Sequence, residues 1–170
     1  MKMKQTGFTL IELITVIVIL SILAAVALPK YAALQTQARI AKLNGALGAM
    51  QGAAAIAHGA CLATQGANPC TDTTTSIGME GATVTLVHQY PAATQNGILV
   101  AAGINVNDPN QQWQVISGGT GGATPLVVGV QGGLNPATCS LSYTEPAVAG
   151  DAPAFNGSIQ TPGPVLTAGC

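Results

Sequence analysis

The chain has 170 residues, 48% of them apolar and only 6% charged, with a formal net charge of −1. So little charge excludes a protein that holds nucleic acid by phosphate neutralisation, and so much apolar content with so little net charge excludes an intrinsically disordered chain. The length allows one head domain beside an N-terminal segment, with a core of modest size.

Residues 1–7 form a short leader with Lys2 and Lys4, and an apolar run from Phe8 to Leu28 follows and stops at Pro29. At about 1.5 Å per residue, roughly 20 helical residues span the ~30 Å hydrocarbon core of a bilayer. Glu12 is the one charge inside the run. In a membrane helix such a carboxylate costs on the order of 2.5 to 3.5 kcal/mol, more than one Leu or Ile returns. Either Glu12 lies near enough to the membrane surface to stay hydrated, or it meets a positive group at its own depth. Cleavage after Gly7 would place an α-amine on Phe8, one turn before Glu12, and in a stack of copies the amine of one could neutralise the carboxylate of another. Ala25 and Ala27 imitate the small-residue site of an ordinary secretory signal, which would instead lose the whole run.

Pro29 should bend or loosen the helix without ending it. Beyond it Ile40, Leu43, Leu47, Met50, Ala54, Ala57 and Cys61 fall three and four apart, the stripe of an amphipathic helix. Arg39 and Lys42 lie off this stripe and read as solvated flank charges. Gly45, Gly48 and Gly52 each weaken a helix by about 1 kcal/mol relative to Ala, and close packing against a sheet would explain them. The helix is expected to finish near Gly59. This divides the chain into a leader (1–7), an apolar helix (8–28), its amphipathic continuation (29–60) and a head (61–170).

Cys61, Cys70, Cys139 and Cys170 all lie beyond the apolar run, and an even number in an exported chain reads as disulfides. Three connectivities are open. The least nested, Cys61 with Cys70 and Cys139 with Cys170, is favoured, and loop closure gives each roughly 3 to 4 kcal/mol. A zinc site fails on spacing, because neither pair is Cys-x-x-Cys and only His58 stands near a cysteine. No metal and no cofactor is expected.

In the head, residues 61–76 read as a turn-rich loop. Strands are predicted over 83–90, 113–117, 126–130 and 139–144, with His88 at a strand end and a short helix opened by Pro91 and running to Ala101. The glycine run 118–122 lacks the lysine of a phosphate loop and reads as a hairpin connection. Residues 146–170 have little periodicity and depend on Cys170 for attachment. The fold class is α+β: a long N-terminal helix, half membrane-spanning and half amphipathic, packed on a roughly four-stranded antiparallel sheet, with a disulfide-bounded C-terminal region. No catalytic site is expected, because His58 and His88 lie apart in sequence and the acids are scattered. Asp108 and Asp151 read as turn residues rather than calcium ligands. Trp113, Tyr90 and Tyr143 read as core anchors as readily as a sugar site, and Asn156-Gly157-Ser158 fits a glycosylation sequon.

Gly7-Phe8-Thr9-Leu10-Ile11-Glu12 after a basic leader, with Pro29-Lys30-Tyr31 closing the apolar run, closely resembles the class III signal of type IV pilins and pseudopilins. The resemblance implies cleavage by a prepilin peptidase between Gly7 and Phe8, N-methylation of Phe8, and storage in the inner membrane. A pilus assembly platform would then polymerise the subunit into an extracellular fibre, with Phe8, Glu12 and Pro29 as assembly residues. Ser21 stands where the family often has a glycine, which bears on how far the helix unwinds before Pro29. Further blocks, Ala38-Arg39-Ile40, Gly48-Ala49-Met50-Gln51-Gly52-Ala53-Ala54, His58-Gly59, Tyr90-Pro91-Ala92-Ala93-Thr94 and Tyr143-Thr144-Glu145-Pro146, look like the mannose-sensitive haemagglutinin pilins. They imply attachment to surfaces, host glycans among them, with no nucleic-acid partner. A type II secretion pseudopilin shares the leader, but its major form typically holds its C-terminal loops with calcium, so four cysteines favour a pilin. A minor pilin stays open.

Overall fold

The computed structural model of the chain describes residues 7–64, 70, 75–122, 124–133, 135, 138–157 and 169–170. The chain divides into two units, Met1–Gln37 and Ala38–Cys170. Helix α1 (Leu10–Ala63) runs through the first unit and opens the second. It passes Pro29 without interruption, although Pro29 has no N–H to give the carbonyl four residues back. Its C-terminal end lies beyond Gly59, so the glycine expected to cap the helix sits inside it.

In the head unit α1 buries Leu43, Ala46, Met50, Ala53, Ala54, Ala57 and Cys61, while Ile40 and Leu47 pack at the margin of the same core. The three-and-four spacing therefore marks the true inner face. The glycine reading fails: Gly45, Gly48 and Gly52 are exposed, and a Cβ added at any of them would meet nothing within 4 Å.

Two antiparallel sheets stand where one was expected. The first orders β1 (Thr75–Met79), β2 (Ala82–Val87) and β3 (Tyr90–Pro91). Residues 83–90 do not form one strand, because His88 and Gln89 adopt φ of 49° and 70° and turn the chain. Glu80 and Gly81 make the preceding turn with φ of 49° and 82°, so both hairpins use paired left-handed residues, the conformation whose twist suits adjacent strands. Pro91 ends an edge strand, where its missing N–H is harmless, and does not open a helix. The helical turn begins later, over Gln95–Leu99, as a π-type turn kinked at Gly97. There a Cβ would come within 2.1 Å of the Ala92 carbonyl oxygen, so only glycine fits.

The second sheet orders β4 (Trp113–Ser117), β5 (Leu126–Val130), β6 (Ser140–Thr144) and β7 (Ala154–Gly157). Its fourth strand comes from the proline-rich tail that showed no period. The β4–β5 link needs glycine, because at Gly118 φ is +75° and a Cβ would lie 2.0 Å from the Pro125 carbonyl oxygen. Beneath this sheet Leu43, Met50, Leu126, Val128, Leu141 and Tyr143 share one core. Ala57, Cys61, Cys70, Val84 and Leu86 form a smaller one against the first sheet.

Candidate functional site

The N-terminal unit is a helix with no buried face. Phe8 is 85% exposed, and Leu10, Ile11, Leu13, Ile17, Leu20, Leu23, Val26 and Leu28 are all exposed. The helix is long and apolar enough to cross a membrane. Exposed apolar surface on this scale marks an interaction face, and a helix that is apolar all round is made for lipid or for a core built from other helices. Gly7 precedes it in an exposed, non-helical segment.

Thr9 and Glu12 start the helix. The Thr9 N–H and hydroxyl donate to Glu12 Oε2 at 2.9 and 2.5 Å, and the Glu12 N–H reaches back to Thr9 Oγ1 at 3.4 Å. This is a reciprocal capping box. The Thr9-x-x-Glu12 spacing is the sequence signal of this box. Both bonds to the carboxylate end on Oε2, so among the described residues Oε1 is left for an outside donor. Ser21, in the family's usual glycine position, returns its hydroxyl to the Ile17 carbonyl at 2.7 Å, so it carries no free polar group into an apolar surrounding.

In the head unit Arg39 and Lys42 are not solvated flank charges. Arg39 donates from Nη1 to the Cys170 carbonyl at 2.5 Å. Lys42 donates to the Gln111 carbonyl and sits 4.7 Å above the centroid of the Trp113 ring, a cation–π contact. Desolvation pushes its ammonium pKa down. Both cations thus fasten the helix to loops and to the chain end, partners that helical periodicity cannot reveal.

The disulfides join Cys61 to Cys70 and Cys139 to Cys170. Between the sheets, the Glu145 carboxylate accepts the Ala93 N–H at 2.5 Å and the Gly122 N–H at 2.6 Å. The Tyr143 hydroxyl donates to the Pro91 carbonyl at 2.6 Å. Burial, then the nearby charge of Glu145, holds the Tyr143 phenol well above its usual pKa. His58 stacks on Tyr90 with ring centroids 4.3 Å apart and lies 3.3 Å by Nδ1 from the Gln89 carbonyl. The structure thereby brings His58 to the turn that carries His88, a proximity their separation in sequence conceals. Asp108 accepts from the Asn110 backbone at 2.9 Å, a turn role. Among the described residues no cluster of His, Cys, Asp and Glu could hold a metal ion. Trp113 and Tyr143 are buried in the core. The sequon lies partly outside the described residues.

The model of the prokaryotic N-terminal methylation motif matches residues 2–28. Over 55 residues the chain is 47% identical to the type IV narrow pilus major component PilA5 of Thermus thermophilus. That similarity takes in 32% of this chain and 47% of the relative, about half its length. No solved structure matches the chain. The N-terminal region of this chain thus carries the prokaryotic N-terminal methylation motif, and part of the chain is similar to a type IV pilus major component.

Proposed function

We infer that the chain is a structural subunit of a type IV pilus. It waits in the inner membrane as a prepilin, is cut after Gly7 by a prepilin peptidase, is N-methylated on Phe8, and is polymerised by the assembly platform into an extracellular fibre for surface attachment. The observation that carries this is the uncovered apolar helix with a single half-satisfied carboxylate at its start. In lipid such a helix anchors one subunit. In a fibre the same surface is covered by other copies, and Glu12 Oε1 receives the Phe8 amine of a neighbour. The relative named a major component of a narrow pilus supports a fibre-forming role. The two disulfides favour a pilin over a pseudopilin. Attachment to glycan-bearing surfaces follows from the haemagglutinin-type resemblance and belongs to the same proposal. Electron microscopy of cells with and without the chain tests it: surface fibres should vanish with the chain and return with it, and unchanged fibres in its absence would refute the reading.

A further inference from the structure

Three glycines on one exposed face of a helix are unexplained by the subunit that carries them. At Gly45, Gly48 and Gly52 a Cβ would touch nothing, and alanine would favour the helix by about 1 kcal/mol at each position. The absence of side chains is useful only to something that approaches this face from outside. Gly48 and Gly52 also form the floor of a groove of about 500 Å³, walled by Ile56, Met79, Glu80 and Val100. The groove lies between α1, the β1–β2 turn and the end of the π-type turn, all within the head unit. Ile56 is 64% exposed beside it.

Charge identifies the occupant. Without Lys2 and Lys4 the side-chain cations are Lys30, Arg39 and Lys42. Arg39 and Lys42 are spent on the Cys170 and Gln111 carbonyls, which leaves Lys30 with no bond among the described residues. Of the acids, Glu12, Asp108 and Glu145 have partners. Glu80 and Asp151 have none among the described residues, and of these two only Glu80 lines the groove. Lys30 lies on a helical stretch with Tyr31 and Leu34, which are 63% and 61% exposed, and Leu34, four residues after Lys30 and three after Tyr31, lies between the two on one side of the helix. We propose that this groove receives the segment around Lys30, Tyr31 and Leu34 of a second copy of the chain, with Lys30 of one copy paired to Glu80 of the other. The glycine floor lets the incoming helix approach closely, and the apolar walls take Tyr31 and Leu34. This rests on the filament reading above and deepens it by naming one contact between subunits.

Parent fibres assembled from a mixture of isotopically light and heavy subunits, treated with a zero-length carbodiimide, should yield a mixed-isotope peptide pair joined between Lys30 and Glu80. Lys30→Glu and Glu80→Lys should each lower fibre yield about tenfold, and the double exchange should restore it to within about twofold. A tenfold change is roughly 1.4 kcal/mol of contact energy. Asp151→Lys in place of Glu80→Lys should rescue nothing. Gly52→Leu, at a position where an added Cβ meets nothing within 4 Å in the subunit, should leave the level and disulfides of the membrane-held subunit unchanged while lowering fibre yield. Fibres that contain the chain but give no Lys30–Glu80 link, or a double exchange no better than the worse single, overturn this contact and leave the filament reading standing. Surface fibres that lack the chain altogether overturn the filament reading itself. Should a variant fail to fold, the link in parent fibres decides alone.

Discussion

At the scale of the residue, Glu12 has two tasks on two oxygens. Oε2 closes the capping box with Thr9, which satisfies orphan donors at the helix start, and on the proposed function Oε1 would take the amine of a neighbouring copy. A glutamate capped in this way is tolerated in the isolated subunit and still gains from assembly. Glu12→Lys should therefore reach the membrane fraction at normal levels while fibre yield falls by about tenfold or more, since it replaces an attraction with a repulsion between like charges. Normal fibres from this variant would contradict the amine pairing. Tyr143 makes a separate prediction for the head. Its pKa is raised in the fold, so the folded chain holds this proton more tightly than the unfolded chain. That contribution is complete below about pH 10 and is lost as pH rises above it. Thermal unfolding of the head should weaken above that pH. Tyr143→Phe should cost about 1 kcal/mol at neutral pH through the lost bond to Pro91, and its alkaline slope should be shallower than the parent's.

At the scale of the element, what was legible in the sequence was whatever repeats along the chain. The apolar run, the buried stripe from Leu43 to Cys61 and the alternation along β6 all follow from side-chain spacing, because burial on one face imposes a period. What escaped was set by contacts between elements distant in sequence. His88 and Gln89 turn the chain though neither is glycine, and β1 and β7 arise in stretches whose composition spoke for loops. Arg39 and Lys42 gave no sign of their partners, because those partners are backbone carbonyls about 70 or more residues away. Arg39→Ala should lower head stability by about 1.5 to 3 kcal/mol, as expected for a lost bond to a charged group, measurable by denaturant unfolding. The disulfides differ in reach, closing separations of 9 and 31 residues. Loop-closure arithmetic gives about 3 kcal/mol for the shorter and about 4 for the longer. Serine at Cys139 and Cys170 should thus cost more than serine at Cys61 and Cys70, and it should expose the tail around β7 to protease first.

At the scale of the whole molecule, an uncovered apolar helix and a disulfide-braced head divide the work. Few ionic contacts are available to a chain that is 6% charged, so association between copies must rest on apolar burial with a small number of charges placed for register. A fibre built from this chain is therefore expected to respond little to salt, apart from its few ion pairs. On the proposed function the leader acts as a gate, since an amine on Phe8 to answer Glu12 would exist only after cleavage. The central claim, that Phe8 begins the mature subunit of a fibre, is tested by mass spectrometry of the N-terminal peptide from fibres sheared off the cell surface. The account predicts a peptide that begins at Phe8 and carries one methyl group on its amine. A peptide beginning at Met1, or beginning after Ala27 with the apolar helix removed, would contradict it.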